Sequence, residues 1–390
     1  MTNHFDVDSL QQIHGLLRKR QAEMVDLLKQ LAQIESPSSD PQAQPPVFAV
    51  LERELVALGF RCRRISGDKT GGQMLAVPKD RRRTQPLQLL VGHCDTVWPH
   101  GTLERMPVAE KEGRLDGPGT YDMKGGLVQA IFALKALKEL DLQPTVQPFV
   151  FINSDEEIGS FESRQNLHRL AKIIDRALVL EPSLGKAGKI KTARKGVGRF
   201  EIEVIGRSAH AGLDPEKGIS AISEMSHVVQ KLNELHDPSI GTTINVGTIS
   251  GGTQANVIPE RCRILIDVRV LTVDEGKRIE ESIATIQPTL AGSRLEVSGS
   301  IRRPPLEQTP RNRVLWEHAK EISGWIGLEI DQATAGGGSD GNWMSQHTAT
   351  LDGLGAVGDG AHALHEHVIK SEMPNRAALL AGLLLAPARS

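Results

Sequence analysis

Leu89-Leu90-Val91-Gly92-His93-Cys94-Asp95-Thr96-Val97 is the stretch on which the fold turns. Its apolar residues before the glycine read as a buried strand, so His93 emerges at that strand's C-terminal end. In an open α/β sheet, ligands bind along that edge. A metal-bound imidazole needs its second ring nitrogen held by a carboxylate or carbonyl, and Asp95 is placed to supply one. Taken alone, His-x-Asp is an ordinary polar loop. The other strand ends change the odds.

A strand Val146–Ile152 runs into Asn153-Ser154-Asp155-Glu156-Glu157-Ile158-Gly159, and a strand Ala177–Leu180 runs into Glu181-Pro182-Ser183. Between them and His93, a long loop from Trp98 to Pro118, rich in turn residues, leads through Gly119-Thr120-Tyr121-Asp122-Met123-Lys124-Gly125-Gly126 into a helix. That helix has Leu127, Ala130, Ile131, Leu134 and Leu137 on one face. Strands alternating with helices predict a mostly parallel sheet covered on both faces. His93/Asp95, Glu156/Glu157 and Glu181 then share one sheet edge, with Asp122 in a glycine-rich loop at a helix start. One such carboxylate is an ordinary turn residue. Several carboxylates and a histidine converging without mutual repulsion require cations.

Upstream, Leu10, Ile13, Leu17, Met24, Leu28 and Leu31 predict one amphipathic helix from Asp8 to Ile34, and a second spans Pro46 to Leu58, ended by Gly59. From Thr192 the pattern changes. Phe200, Ile202 and Val204 alternate with Glu201 and Glu203 as a half-exposed strand. After Ser208-Ala209-His210-Ala211-Gly212, Asp214 reads as a helix cap with Pro215 in the first turn, and Ile219, Ile222, Met225, Val229 and Leu232 as the helix's apolar face. Strands Thr242–Ile249 and Cys262–Val270, a helix Val273–Ile286 and a strand Leu295–Ile301 complete β-α-β-β-α-β, a ferredoxin-like α+β unit. The chain therefore divides into a catalytic domain in two parts, 1–191 and 304–390, interrupted by an inserted domain, 192–303. In the returning part, Gly336-Gly337-Gly338-Ser339-Asp340-Gly341-Asn342 is read as a loop offering backbone N–H groups to a ligand. Gly355-Ala356-Val357 feeds Gly358-Asp359-Gly360-Ala361-His362, and an apolar helix Ala377–Leu385 closes the domain.

Composition narrows the function classes. A net charge of −2 over 390 residues, without a basic stripe, excludes a nucleic-acid surface. The longest apolar run, Ala377 to Ala386, is too short to span a bilayer, so no membrane partner is expected. Met1-Thr2-Asn3-His4-Phe5-Asp6 shows no secretory signal, and Cys62, Cys94 and Cys262 lack paired spacing. A cytoplasmic protein is the expectation. One tyrosine and four tryptophans argue against an aromatic-lined sugar or nucleotide surface.

These motifs carry a resemblance. The chain resembles the M20 family of dinuclear zinc metallopeptidases and deacylases, in its glutamate carboxypeptidase (carboxypeptidase G2-like) branch. The match covers Gly92–Val97, Gly119–Gly126, Asp155–Ser160, Leu180-Glu181-Pro182 and Gly360-Ala361-His362, with Ser208–Gly212, Asn256-Val257-Ile258-Pro259 and Asp267-Val268-Arg269 in the insertion. The resemblance implies two zinc ions per chain: His93, Asp122 and Glu181 holding one, Asp122, Glu157 and His362 the other. It also implies Asp122 as bridge, Glu156 as general base, Asp95 orienting His93, and a cis peptide between Asp122 and Met123. The family usually follows the last histidine with a small polar residue, whereas Ala363-Leu364-His365-Glu366-His367 brings two more histidines. His362 is retained as ligand because only it directly follows the glycine turn.

The insertion is implied to pair into a two-fold homodimer in which His210, with Asn256 nearby, reaches the partner's zinc site. Arg269 and Arg303 suit a substrate carboxylate, since a guanidinium fork matches it better than lysine; Gly337 and Gly338 are added as substrate-binding candidates. The expected activity is amide hydrolysis releasing a C-terminal amino acid, glutamate among the candidates, from a small peptide or N-acyl conjugate. An aminoacylase-type deacylase acting on N-acyl amino acids uses the same zinc chemistry. A catalytically silent metal-binding or ligand-binding module is the third reading, disfavoured by Glu156, which turnover needs and metal binding does not.

Overall fold

All seven residues of Leu87–His93 are buried, as are all seven of Gln147–Asn153, in the computed structural model, which describes residues 7–388. Complete burial is what an apolar strand acquires when helices cover both faces of its sheet. The chain divides into two compact units, the first formed by residues up to Thr192, Gln308–Thr334 and the segment from Ser339 onward.

The first unit is built on a six-stranded sheet in the order Phe60–Ile65, Gln73–Pro78, Gln147–Asn153, Leu87–His93, Arg176–Val179, Ala349–Leu351. The last four strands are mutually parallel; Gln73–Pro78 runs antiparallel to them, and Phe60–Ile65 pairs antiparallel with Gln73–Pro78 at the edge. Register sets His93 beside Asn153 and Val91 beside Val179. The segments leaving those strand ends, with Asp95, Glu156/Glu157 and Glu181, therefore start from one edge of the sheet. Side chains alternate between the two faces: Leu89 and Val91 join Phe149, Phe151, Trp343 and Met344 on one, and Leu90 joins Val150, Ile152 and Leu127 on the other.

The helix Gly125–Glu139 is buried on nearly every side and packs on Glu372–Leu385. Its approach to the sheet depends on two glycines. A Cβ on Gly126 would lie 2.0 Å from the Leu180 carbonyl oxygen, and one on Gly92 would lie 2.8 Å from both Met123 and Leu127. Helix start and strand ends can therefore come close enough for short side chains on both to meet.

Several predicted elements differ. The single helix Asp8–Ile34 is two, Val7–Lys19 and Gln21–Ala32, broken at Arg20 (φ −98°, ψ 13°). Leu10, Ile13 and Leu17 are buried in the first half and Met24, Leu28 and Leu31 in the second, and the six residues between Leu17 and Met24 hold only the exposed Ala22 as an apolar side chain, so nothing marks the break. The Trp98–Pro118 loop contains a helical turn, Thr102–Arg105, and a hairpin, Ala109–Lys111 with Arg114–Asp116. That hairpin continues into His367–Ile369 and then Gly358–Asp359, so the turn bearing His362 hangs between two strands of a small sheet. The last helix begins at Glu372 rather than Ala377. The reading of Met1–Asp6 lies outside the described residues.

The second unit comprises Ala193–Glu307 and Ala335–Gly338. Its antiparallel sheet runs Thr243–Gly251, Arg261–Val270, Gly196–Ile205, Arg294–Arg303, the strand order of a ferredoxin-like fold. Phe200, Ile202, Val204, Ile264 and Ile266 point to one face, which Ala221–Glu234 and Val273–Ala284 cover with Met225, Val228, Leu232, Ile279 and Ile283. The first of these helices starts later than expected. Ser220, not Asp214, caps it by accepting from the Ser223 N–H, while Pro215–Lys217 forms a separate 3₁₀ turn. Consequently Ile222 is exposed and Val228 takes the core position.

Candidate metal centre

His93 is 1 % exposed at the end of its strand, and its two ring nitrogens face different groups. Nδ1 lies 3.0 Å from the Asp95 main-chain oxygen and 3.4 Å from Asp95 Oδ1. Nε2 lies 3.4 Å from Asp122 Oδ1 and 3.5 Å from Glu181 Oε1. On the other side, His362 Nε2 is 3.0 Å from Glu157 Oε2 and 3.7 Å from Asp122 Oδ2. Each Asp122 oxygen thus faces a different histidine, one with Glu181 beside it and the other with Glu157. The Asp122–Met123 peptide is cis.

These residues fit a pair of metal ions. Ligands held tetrahedrally at 2.0–2.1 Å from one zinc stand roughly 3.3 Å apart, and His93 Nε2 stands 3.4 and 3.5 Å from its two carboxylate neighbours. His93 Nε2, Asp122 Oδ1 and Glu157 Oε1 are buried and have no hydrogen-bond partner among the described residues. Buried polar atoms are otherwise almost always satisfied. Donor atoms of His93, Glu156 and Glu181, and of His93, Asp122 and Glu157, converge within 4.8 Å of one another. The mixed nitrogen and oxygen donor set suits zinc.

Electrostatics points the same way. Burial opposes protonation of His93, yet Asp122, Asp95 and Glu181 together raise its pKa well above the usual value. The Glu157 contact raises His362 to about 9. Burial lifts the Glu157 carboxyl to about 8, opposed by His362 and reinforced by Asp122. Carboxylates that favour the charged form of both histidines, and burial that disfavours the charged form of Glu157, mark a cluster short of positive charge, which is what divalent cations supply.

Around these groups the backbone is held by residues that sequence patterning did not single out. Glu366, 1 % exposed, accepts N–H bonds from Tyr121 and Asp122 on Oε1, both 3.0 Å. Its Oε2 accepts from Gly119 N–H at 3.0 Å and Trp98 Nε1 at 2.8 Å. Burial pushes its carboxyl up to about 7, against these donors, which favour the charged form. Ser38 Oγ donates to Asp95 Oδ2 at 2.7 Å, and the Glu157 N–H reaches the same oxygen at 3.2 Å. Asp95 therefore links the His93 and Glu157 sides, and its carbonyl is nearer the imidazole than its carboxylate is. Glu366 lies between the two histidines that follow His362, and His367 Nδ1 contacts the His365 carbonyl at 2.8 Å.

The second unit holds the other candidates. Gly212 and Leu213 N–H both donate to His210 Nδ1 at 3.1 Å, so the ring hydrogen sits on Nε2 and makes that nitrogen a donor. The Ala211 N–H donates to the Asn256 carbonyl at 3.0 Å, setting His210 and Asn256 on neighbouring segments. Arg269 forks onto Asp267 at 2.7 and 3.0 Å. Arg303 is buried, and its Cδ occupies the space a Cβ on Gly338 would need. In the glycine loop, the amides of Ser339 and Gly341 are used within the chain. Ser339 and Gly341 N–H close a capping box with Asn342 and Ser339, and the Gly337 and Gly338 carbonyls accept from Arg194 Nη1 at 3.2 and 3.3 Å.

A doubly wound sheet with a carboxylate-histidine cluster at its strand ends, plus a ferredoxin-like insertion, defines a metal-dependent hydrolase architecture. Residues 192–293 match the peptidase dimerisation domain of the M20 family. The chain is 29% identical to carboxypeptidase G2 of Pseudomonas sp. (strain RS-16) over 94% of its length and 89% of that protein's. It is 28% identical to acetylornithine deacetylase of Myxococcus xanthus, over 70% of this chain and 74% of that protein. Its fold matches aminopeptidase PepT from Bacillus cereus ATCC 10987 (TM-score 0.78, 23% identity, 94% and 98% coverage). It also matches the Bacillus subtilis YXEP protein, described as a dinuclear metal binding peptidase from the M20 family (TM-score 0.71, 14% identity, 94% and 98% coverage). The chain is a homologue of carboxypeptidase G2, carries a segment matching the M20 peptidase dimerisation domain, and shares its fold with M20 metallopeptidases. No helix among the described residues is long and apolar enough to cross a membrane.

Proposed function

We propose that this chain is a zinc-dependent amidohydrolase that releases a C-terminal amino acid from a small peptide or N-acyl conjugate. The observation that carries the proposal is Asp122, whose two oxygens face His93 and His362 separately across buried atoms lacking hydrogen-bond partners. His93, Asp122 and Glu181 would hold one ion, and Asp122, Glu157 and His362 the other. When bound, the ions polarise the scissile carbonyl and make a water molecule acidic near neutral pH.

The chain's own residues do the rest. Glu156, with a carboxylate oxygen within 4.8 Å of donor atoms of His93 and Glu181, takes the proton of the water whose oxygen attacks the carbonyl carbon. When the C–N bond breaks, it returns that proton to the leaving nitrogen. Asp95 and Ser38 fix the His93 ring, and Glu366 fixes the loop bearing Asp122. The Nε2–H of His210, with Asn256, donates to the developing oxyanion in the partner's site of a homodimer formed through the inserted domain. Arg269 receives the substrate carboxylate after exchanging it for Asp267, and Arg303, Gly337 and Gly338 line the same subsite. Three free cysteines fit a cytoplasmic setting.

The relation to acetylornithine deacetylase supports a second reading, an N-acyl-amino-acid deacylase with the same chemistry. Steady-state rates with zinc added, on C-terminal dipeptides, acyl-glutamates and simple N-acetyl amino acids, separate the two. A kcat/KM at least tenfold higher for the first two classes supports the carboxypeptidase reading, and the reverse order supports the deacylase. No turnover on any of them leaves the silent binding module.

A further inference from the structure

Ser160 closes the turn that carries Glu156 and Glu157, and it does so in an unfavourable backbone conformation. The Gly159 N–H donates to the Glu156 carbonyl at 2.8 Å, and the Ser160 N–H to the Asp155 carbonyl at 2.7 Å. Both closing residues have positive φ, 104° at Gly159 and 56° at Ser160. Glycine enters that region freely, whereas a residue with a Cβ is strained there. Strain of this kind persists where the surroundings hold it, and it clusters at functional turns. Ser160 is fully buried, and its Oγ donates to Asp340 Oδ1 at 2.5 Å. A serine at this position therefore supplies a hydroxyl that the conformationally easier glycine lacks.

Asp340 also holds the other leg of the same turn. Its Oδ2 accepts from Asn153 Nδ2 at 2.6 Å, and Asn153 is the last residue of the strand that leads into the turn. Asp340 is 2 % exposed and opens the helix Asp340–Met344. That helix start is fixed by the Ser339 capping box and by the Ser339 hydroxyl, which donates to Asp352 Oδ2 at 2.5 Å. One buried carboxylate on a fixed helix start thus spans the turn from Asn153 to Ser160. Glu157 has anchors outside this clasp: its N–H meets Asp95 Oδ2 at 3.2 Å, and its carboxylate meets His362 Nε2 at 3.0 Å. We propose that Ser160 and Asp340 are positioning residues for Glu156, holding its turn at the height from which the carboxylate reaches the attacking water. The proposal rests on Glu156 being the general base. Misplacing a reacting group by about 1 Å costs roughly a hundredfold in rate, so the pair acts on kcat, while the separate anchors of Glu157 keep the metal in place.

Two substitutions at Ser160 separate positioning from mere support of the fold. Ser160→Ala removes the hydroxyl and keeps the strain; Ser160→Gly removes both. Thermal midpoint, zinc content, KM and kcat are measured on the full zinc-loaded chain, with the substrate that the wild type turns over fastest. Ser160→Gly should melt above Ser160→Ala, yet both should lose kcat by about tenfold or more and agree within about twofold. Both should keep the wild-type zinc content and a KM within about twofold of wild type, since binding is not what the pair controls. Asp340→Ala should match their loss, and the Ser160 variants keep the test decisive if it fails to fold. Asp340→Asn should restore most of the rate, because its Oδ1 accepts from Asn153 and its Nδ2 donates to a turned Ser160 hydroxyl. A kcat that recovers with the midpoint in Ser160→Gly overturns the proposal, as does a loss carried by zinc or KM, or an Asp340→Asn as slow as Ser160→Gly. Glu156→Gln distinguishes the two levels: wild-type kcat there overturns the base assignment itself, whereas an inactive Glu156→Gln beside fully active Ser160 variants overturns only the positioning role.

Discussion

Glu366 shows how much of a metal site is set by a residue that binds no metal. Its carboxylate gathers three backbone N–H groups of the Asp122 loop and the Trp98 indole. Glu366→Ala leaves those donors unmatched in a buried setting, at about 1–3 kcal/mol each before water fills the gap. The expected result is a loss of roughly 3 kcal/mol of stability, read from the denaturant midpoint, with turnover down more than tenfold because the bridging carboxylate loses its support. An unchanged midpoint would show that the loop is held by other means. His93, Glu156, Glu157 and Glu181 were legible in the sequence because each follows an apolar run that ends at one sheet edge, whereas the roles of Asp122 and His362 came from the family resemblance. Glu366 was not legible, since a glutamate seven residues past the strand Gly358–Asp359 carries no pattern until the fold brings Gly119 and Tyr121 to it. The same applies to Ser38, which lies 57 residues before its partner Asp95.

Among the elements, the contact between the helix Gly125–Glu139 and the strand ends is the one with least slack. A Cβ on Gly126 would meet the Leu180 carbonyl at 2.0 Å, so Gly126→Ala must separate the Asp122 loop from the Glu181 segment. Overpacking of this kind costs about 1–3 kcal/mol, and metal affinity should fall as well. Gly324→Ala is the control: the position is exposed in the helix Pro310–Trp325, with nothing within 4 Å of the added Cβ. It should raise stability by about 0.4–1 kcal/mol. Thermal melts of both variants check the pair, and equal shifts would contradict the close-approach account. Periodicity located most helices and strands here, because burial alternates with period two in the insertion and is continuous in the parallel sheet. Breaks and starts were less legible: the turn at Arg20 interrupts no apolar stripe, and Ser220 competes with Asp214-Pro215 for the role of cap.

For the whole molecule, the proposed dimer makes each metal centre depend on the other chain. The Nδ1 contacts that leave His210 with an Nε2–H donor fit that role, and losing one oxyanion donor lowers kcat by about a hundred- to a thousandfold. His210→Ala should therefore keep its metal and its dimer yet lose most activity. Mixing it with Glu156→Ala protein under subunit exchange should restore part of the rate, since one centre then has both groups. Mixed dimers that form and stay inactive would exclude action across the interface. The central claim is that Asp122 joins two ions which Glu156 serves without holding them. Metal content and turnover measured together on the wild type, Asp122→Ala and Glu156→Ala test it most directly. The account predicts about two zinc ions per chain in the wild type and in inactive Glu156→Ala, and neither ion in Asp122→Ala. Near wild-type kcat in Glu156→Ala, or both ions retained without Asp122, would contradict it.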